Sequence, residues 1–181
     1  MFKETASRRK KTVVRAIRIT EELDETLRAN SESKGISPAS LMSSILTKYV
    51  EWDKFAEKVG IVSIPHNLMA HLLDAPNDEN FRRIFPTGAE EIRSIAEFWF
   101  GQFNPDTFLR SLELLGKYGA IFQAEVRRDQ GRFNITLHHV LGQRWSDYLN
   151  DTITLALEQL GARLRSHSTT TQTVVLSGEM T

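Results

Sequence analysis

The chain has 181 residues, 23 basic and 23 acidic side chains, and no cysteine. That excludes a disulfide framework, a zinc–thiolate site and a cysteine nucleophile. No apolar run approaches the roughly 18–20 residues of a membrane span, and no hydrophobic segment follows the basic start as a secretory signal would require, so a cytoplasmic protein with no membrane partner is expected.

The neutral total hides a gradient. Residues 1–20 carry seven basic side chains and one acid, a net of +6, while residues 21–60 and 61–181 each carry −3. The cluster Arg8, Arg9, Lys10 and Lys11 reads as a basic, disordered arm over residues 1–11. From Lys11 to Thr20, Ile17 and Ile19 fall on one side and Ala16 and Arg18 on the other, the period-2 pattern of a strand. Thr20 suits a helix N-cap, and Glu21 and Glu22 put negative charge in the first turn. Leu23 and Leu27 follow at helical spacing, Gly35 stops that helix, and Ser37-Pro38 opens another as N-cap and first residue. Leu41, Ile45 and Tyr49 belong to the apolar face of this second helix, which is expected to run unbroken to Val59, about 33 Å. One strand and two short helices cannot close a core alone. Two copies can, by pairing strands and interlocking helices.

This order and spacing of parts over residues 12–59 resembles the ribbon-helix-helix family of prokaryotic DNA-binding proteins. The resemblance implies a homodimer whose paired strands lie in the major groove of double-stranded DNA, with the inner face packed on four helices. Ile17 and Ile19 set the parity, so Val14, Ala16 and Arg18 face the bases. Arg18 can bond guanine O6 and N7 together, whereas Val14 and Ala16 depart from the polar residues usual at such positions. The dimer core is then Ile17, Ile19, Leu23, Leu27, Leu41, Ile45 and Tyr49. Phosphate contacts fall to Arg8, Arg9, Lys10, Lys11 and Arg15, and to Ser37, Ala39 and Ser40 at the start of the second helix. A nucleoid-associated location follows.

Beyond Gly60 the pattern is helical. Ile64-Pro65 precedes Leu68, Met69, Leu72 and Leu73; Asn77-Asp78-Glu79 opens a short segment ending near Pro86; another helix spans Ala89 to Phe103; and Asn104-Pro105 starts one through Leu115 that Gly116 and Gly119 close. The period then changes. Phe122, Ala124 and Val126 alternate, Asp129-Gln130-Gly131 turns, and Phe133, Ile135 and Leu137 alternate again, which predicts a β-hairpin. A helix from Gln143 to Leu160 and strands near 162–168 and 171–176 complete the chain. The fold class is α+β: residues 12–60 a ribbon-helix-helix domain, residues 61–181 an α+β domain with a helical half, then hairpin, helix, hairpin.

Catalytic chemistry is not expected, since there is no phosphate-cradling glycine loop, nucleophile elbow or metal-protease helix. Asp147, Asp151 and His139 are the nearest approach to a triad, and sequence proximity does not make one. No metal or other cofactor is expected. His138 and His139 are adjacent on a strand and point to opposite faces, and His66 and His71 sit about 140° apart on a helix. His139 reads instead as a buried imidazole bonded to backbone or to a helix residue. The aromatic content of residues 99–148 suits either a well-filled core or a pocket for a small-molecule or protein effector. The expected function is a DNA-binding transcriptional regulator with a C-terminal effector or interaction domain. An architectural DNA-binding protein of low sequence specificity and an antitoxin-like module are the alternatives.

Overall fold

The computed structural model describes residues 12–180. The chain divides into two compact units between Thr47 and Lys48.

In the first unit, residues 12–20 form no strand. The expected strand over 11–20 is therefore not seen in the single chain, for a physical reason: extended backbone becomes a strand only when a neighbour takes its N–H and C=O groups. Helix α1 (Glu21–Ser33) begins as the sequence predicts, with Thr20 accepting the Leu23 N–H at 3.3 Å and three acids in the first turn. Gly35 turns the chain with a φ of +63°, a left-handed conformation that costs glycine little. Ser37 then caps α2 (Pro38–Lys48), its hydroxyl accepting the Ser40 N–H at 3.1 Å. Leu41 and Ser31 are the residues of this unit, among those described, that are buried.

The second unit opens with a correction. The helix expected to run unbroken to Val59 passes through a π-helical turn at Tyr49–Asp53 before α3 (Lys54–Val59), which Gly60 ends in the left-handed conformation. At this wider turn Glu51 accepts hydrogen bonds from Lys117 Nζ at 2.9 Å and the Tyr118 hydroxyl at 2.7 Å. Next to it, buried Trp52 packs on Trp99 and Tyr118 with ring centroids 5.4 and 5.9 Å apart. Lys117 and then Tyr118 hold the Glu51 carboxyl below its ordinary pKa.

Helices α4 (His66–Asp74), α5 (Asp78–Arg82), α6 (Phe85–Phe100) and α7 (Pro105–Tyr118) follow. Pro86 does not end a helix but sits in the first turn of α6, where its missing N–H costs nothing. Gly116 does not close α7 either. It lies inside the helix because a Cβ there would stand 2.7 Å from the Ala124 side chain, so it allows α7 to approach the sheet closely. Asn104 and Thr107 form the reciprocal capping box that fixes the start of α7.

Strands β1 (Gln123–Asp129), β2 (Arg132–His138), β3 (Arg163–Thr169) and β4 (Thr173–Glu179) make one antiparallel sheet in the order β1-β2-β4-β3, with α8 (Gln143–Gln159) crossing between the hairpins. One face of the central strands, Phe133, Ile135 and Leu137 with Val174 and Leu176, is buried in a core shared with Leu149, Ile153, Ala156 and Leu157 of α8 and Phe108 and Leu112 of α7. Each of these side chains larger than alanine contributes about 1.5–3 kcal/mol by leaving water. Arg144 fastens α8 to the loop before α5, donating to the Leu73 and Pro76 carbonyls at 2.9 and 2.6 Å and to Asp78 at 2.6 Å. Mixed helix and antiparallel sheet is the α+β class expected. Among the described residues, no helix is long and apolar enough to cross a membrane.

Gly178 on β4 has no room for a methyl group, since a Cβ would stand 2.5 Å from the Arg163 carbonyl oxygen and 2.6 Å from the Phe133 ring. Gly178→Ala should destabilise the fold by about 1–3 kcal/mol through overpacking. Urea denaturation would show this as a lower midpoint.

Candidate nucleic-acid interface

Arg8, Arg9, Lys10 and Lys11 lie outside the described residues. The other predicted contacts all lie on the surface of the first unit. Val14 is 92% exposed, and Ala16, Arg18 and Arg15 are exposed beside it. Neither Arg15 nor Arg18 pairs with a carboxylate among the described residues, so both guanidinium groups keep their full hydrogen-bonding capacity.

At the start of α2, Ser37, Ala39 and Ser40 are exposed, and the Ser37 and Ser40 hydroxyls are 2.8 Å apart. The first N–H groups of a helix have no partner within it. Here Pro38 has none to offer, the Ser40 N–H goes to the Ser37 hydroxyl and the Leu41 N–H to the Ser37 carbonyl. The Ala39 N–H meets no acceptor among the described residues. It points to this helix end as a donor for an anion, with the positive end of the helix dipole behind it.

The predicted dimer core behaves differently. Leu41 is buried and Leu27 half-buried within the single chain, but Ile17 is 69% exposed, Ile45 50%, and Ile19, Leu23 and Tyr49 are exposed as well. Their expected burial is thus not achieved within one chain. Leu46 and Val13 add to the uncovered apolar surface. Scattered apolar residues on a surface need no explanation, but this many within fewer than forty residues do.

The second unit carries the histidines and two sizeable cavities. His139 is buried, and the Ser146 hydroxyl, which donates to the Thr170 carbonyl, lies 2.8 Å from its Nε2. The Leu141 N–H donates to His139 Nδ1 at 3.3 Å. His139 is therefore the helix-bonded core imidazole the sequence suggested. His138 contacts the Thr173 hydroxyl at 3.2 Å, and His66 the Ala120 carbonyl at 2.7 Å. These three histidines line one cavity of about 420 Å³, a juxtaposition the sequence could not signal because 72 residues separate His66 from His138. Asp147 and Asp151 line a different, polar cleft of about 460 Å³ together with His167, so the suggested grouping with His139 is not formed. Among the described residues, no group of three or more histidines and carboxylates is arranged to hold a metal ion.

The sequence matches no protein-family model and no curated protein. What the chain does must be inferred from its own residues.

Burial, and secondarily the charge of His138, holds the His139 imidazole below its ordinary pKa. The unfolded chain therefore takes up the proton more readily, and the stability His139 contributes is complete above about pH 6.5 and declines as the pH falls below it. Thermal unfolding measured from pH 7.5 to 5.0 should show a falling Tm, with a smaller fall in His139→Gln. Parallel curves for the two proteins would rule out His139 as the cause.

Proposed function

We propose that the chain is a homodimeric DNA-binding regulator of the ribbon-helix-helix type, residues 12–20 of two copies pairing into a ribbon that enters the major groove. One observation carries this reading: residues 12–20, which pair with no strand among the described residues, hold exposed Ile17 and Ile19 together with Arg15 and Arg18, neither of which meets a carboxylate among those residues, and exposed Leu23 and Ile45 follow on the next two helices. A second copy supplies both missing elements, hydrogen-bond partners for the backbone and apolar cover for the side chains. An isologous two-fold interface needs only this one patch. The concentration of positive charge in residues 1–20 and the free Ala39 N–H provide phosphate contacts on the same unit. The second unit, with its own core and two sizeable cavities, serves as the effector or protein-interaction domain.

A second reading, an architectural protein that binds DNA with little sequence preference, is favoured by Val14 and Ala16, neither of which can hydrogen-bond a base. Competition between the chain's own upstream region and random duplex DNA distinguishes the two. Preference for the upstream region marks a regulator; equal affinities mark an architectural protein.

The dimer is best tested at Ile45. Because it is half exposed in the single chain, Ile45→Glu should leave each copy folded, whereas a charge at buried Leu41 would also damage the fold itself. Sedimentation should show a monomer with unchanged helical circular dichroism and no DNA binding. A stable Ile45→Glu dimer would refute the interlocked arrangement.

Removing residues 1–11 deletes five basic side chains per copy. Affinity for all duplexes should weaken, and the slope of log K against log salt should shrink by about 0.9 for each phosphate no longer neutralised. An unaltered slope would mean that the arm contributes nothing.

A further inference from the structure

We propose that this chain reads thymine by its 5-methyl group, through Val14 and Ala16, with Arg18 as the side chain that hydrogen-bonds a base edge. The inference rests on the DNA-binding reading above and concerns what that surface recognises.

Alternation along residues 13–19 means that one face of a ribbon takes Val13, Arg15, Ile17 and Ile19, and the other Val14, Ala16 and Arg18. Ile17 and Ile19 are the large apolar pair, and they go to the helices. Pairing therefore leaves Val14 outside: an isopropyl group 92% exposed in the single chain remains uncovered by the second copy. Water is one environment for it. The other is the floor of the major groove, where the only apolar group on an unmodified base is the thymine methyl.

The preference has two sources. Covering a methyl group with Val14 or Ala16 removes apolar surface from water. Placing the same side chains over a G·C pair instead strips water from the cytosine N4 amine and from guanine N7 and O6 without replacing their hydrogen bonds. Attraction to thymine and rejection of G·C then act in the same direction. Arg18 lies about 13 Å along an extended strand from Val14, so the guanine it bonds is distinct from the thymine that Val14 covers. Two-fold symmetry repeats the arrangement in both half-sites.

Uracil differs from thymine by this methyl group alone, which makes the test direct. The full-length protein is used to select its best 30-base-pair duplex from a random pool. Affinity is then measured by fluorescence anisotropy at fixed salt for that duplex with thymine, and with uracil in every thymine position. The uracil duplex should bind about fourfold more weakly for each contacted methyl group. A G·C-rich duplex should bind more tightly when its cytosines carry 5-methyl groups. Val14→Ser, a change at a surface position, should reduce both differences, while Arg18→Ala should leave them intact.

Equal affinity for thymine and uracil duplexes would overturn the methyl reading and leave DNA binding standing. A uracil effect of the same size in Val14→Ser would also overturn it, since the methyl would then act through the shape of the duplex. Failure to enrich or bind any duplex would overturn both this inference and the proposed function.

Discussion

Backbone becomes a strand only when a neighbouring strand takes its N–H and C=O groups, and residues 12–20 pair with none among the described residues. Most of what distinguishes the first unit follows from that constraint. The two helices that come next are well formed locally, with side-chain caps at Thr20 and Ser37 and a left-handed glycine between them. Yet, of their own residues, they bury only Leu41 and Ser31 fully, because two short amphipathic helices enclose too little volume for a core. Good local structure with poor burial leaves much of this unit's apolar surface in contact with water.

The second unit shows the opposite balance. Its sheet is closed on one face by α8 and α7, and the side chains between them, from Phe108 to Leu176, are almost free of solvent. Side-chain hydrogen bonds join elements far apart in sequence: Arg144 to the Leu73 and Pro76 carbonyls, Trp145 Nε1 to the Ile121 carbonyl, Glu51 to Lys117 and Tyr118. The partly buried ones among them cost most if one partner is lost. A unit of this kind can support cavities without collapsing, and two of its clefts exceed 400 Å³.

Periodicity made the hairpins, α7 and α8 legible, because each buries one continuous face and the pattern of Phe133, Ile135 and Leu137 or of Leu149, Ile153 and Ala156 records it. The features that escaped are those decided by distant partners. The π-helical turn at Tyr49–Asp53 is helical in pattern, and its wider spacing is tied to Trp99, Lys117 and Tyr118, some fifty or more residues away. Pro86 and Gly116 look like stops. One opens a helix and the other admits a neighbouring strand, and only the packing separates those roles. On the candidate interface the period-2 pattern of residues 13–19 was readable, while the exposure of Ile17, Ile19 and Ile45 in the single chain was not. Likewise, nothing in the spacing of His66 and His138 hinted that they share a cavity.

The bonds around His139 have one more consequence. Because the Ser146 hydroxyl gives its hydrogen to the Thr170 carbonyl, it can only accept from the imidazole, so the ring hydrogen sits on Nε2. Nδ1 is left as the acceptor for the Leu141 N–H. The tautomer is thereby locked, and both ring nitrogens are engaged, one as donor and one as acceptor. A proton arriving at Nδ1 would face the Leu141 N–H head-on, donor against donor. While the fold is intact His139 has no free nitrogen with which to hold a metal ion or shuttle a proton.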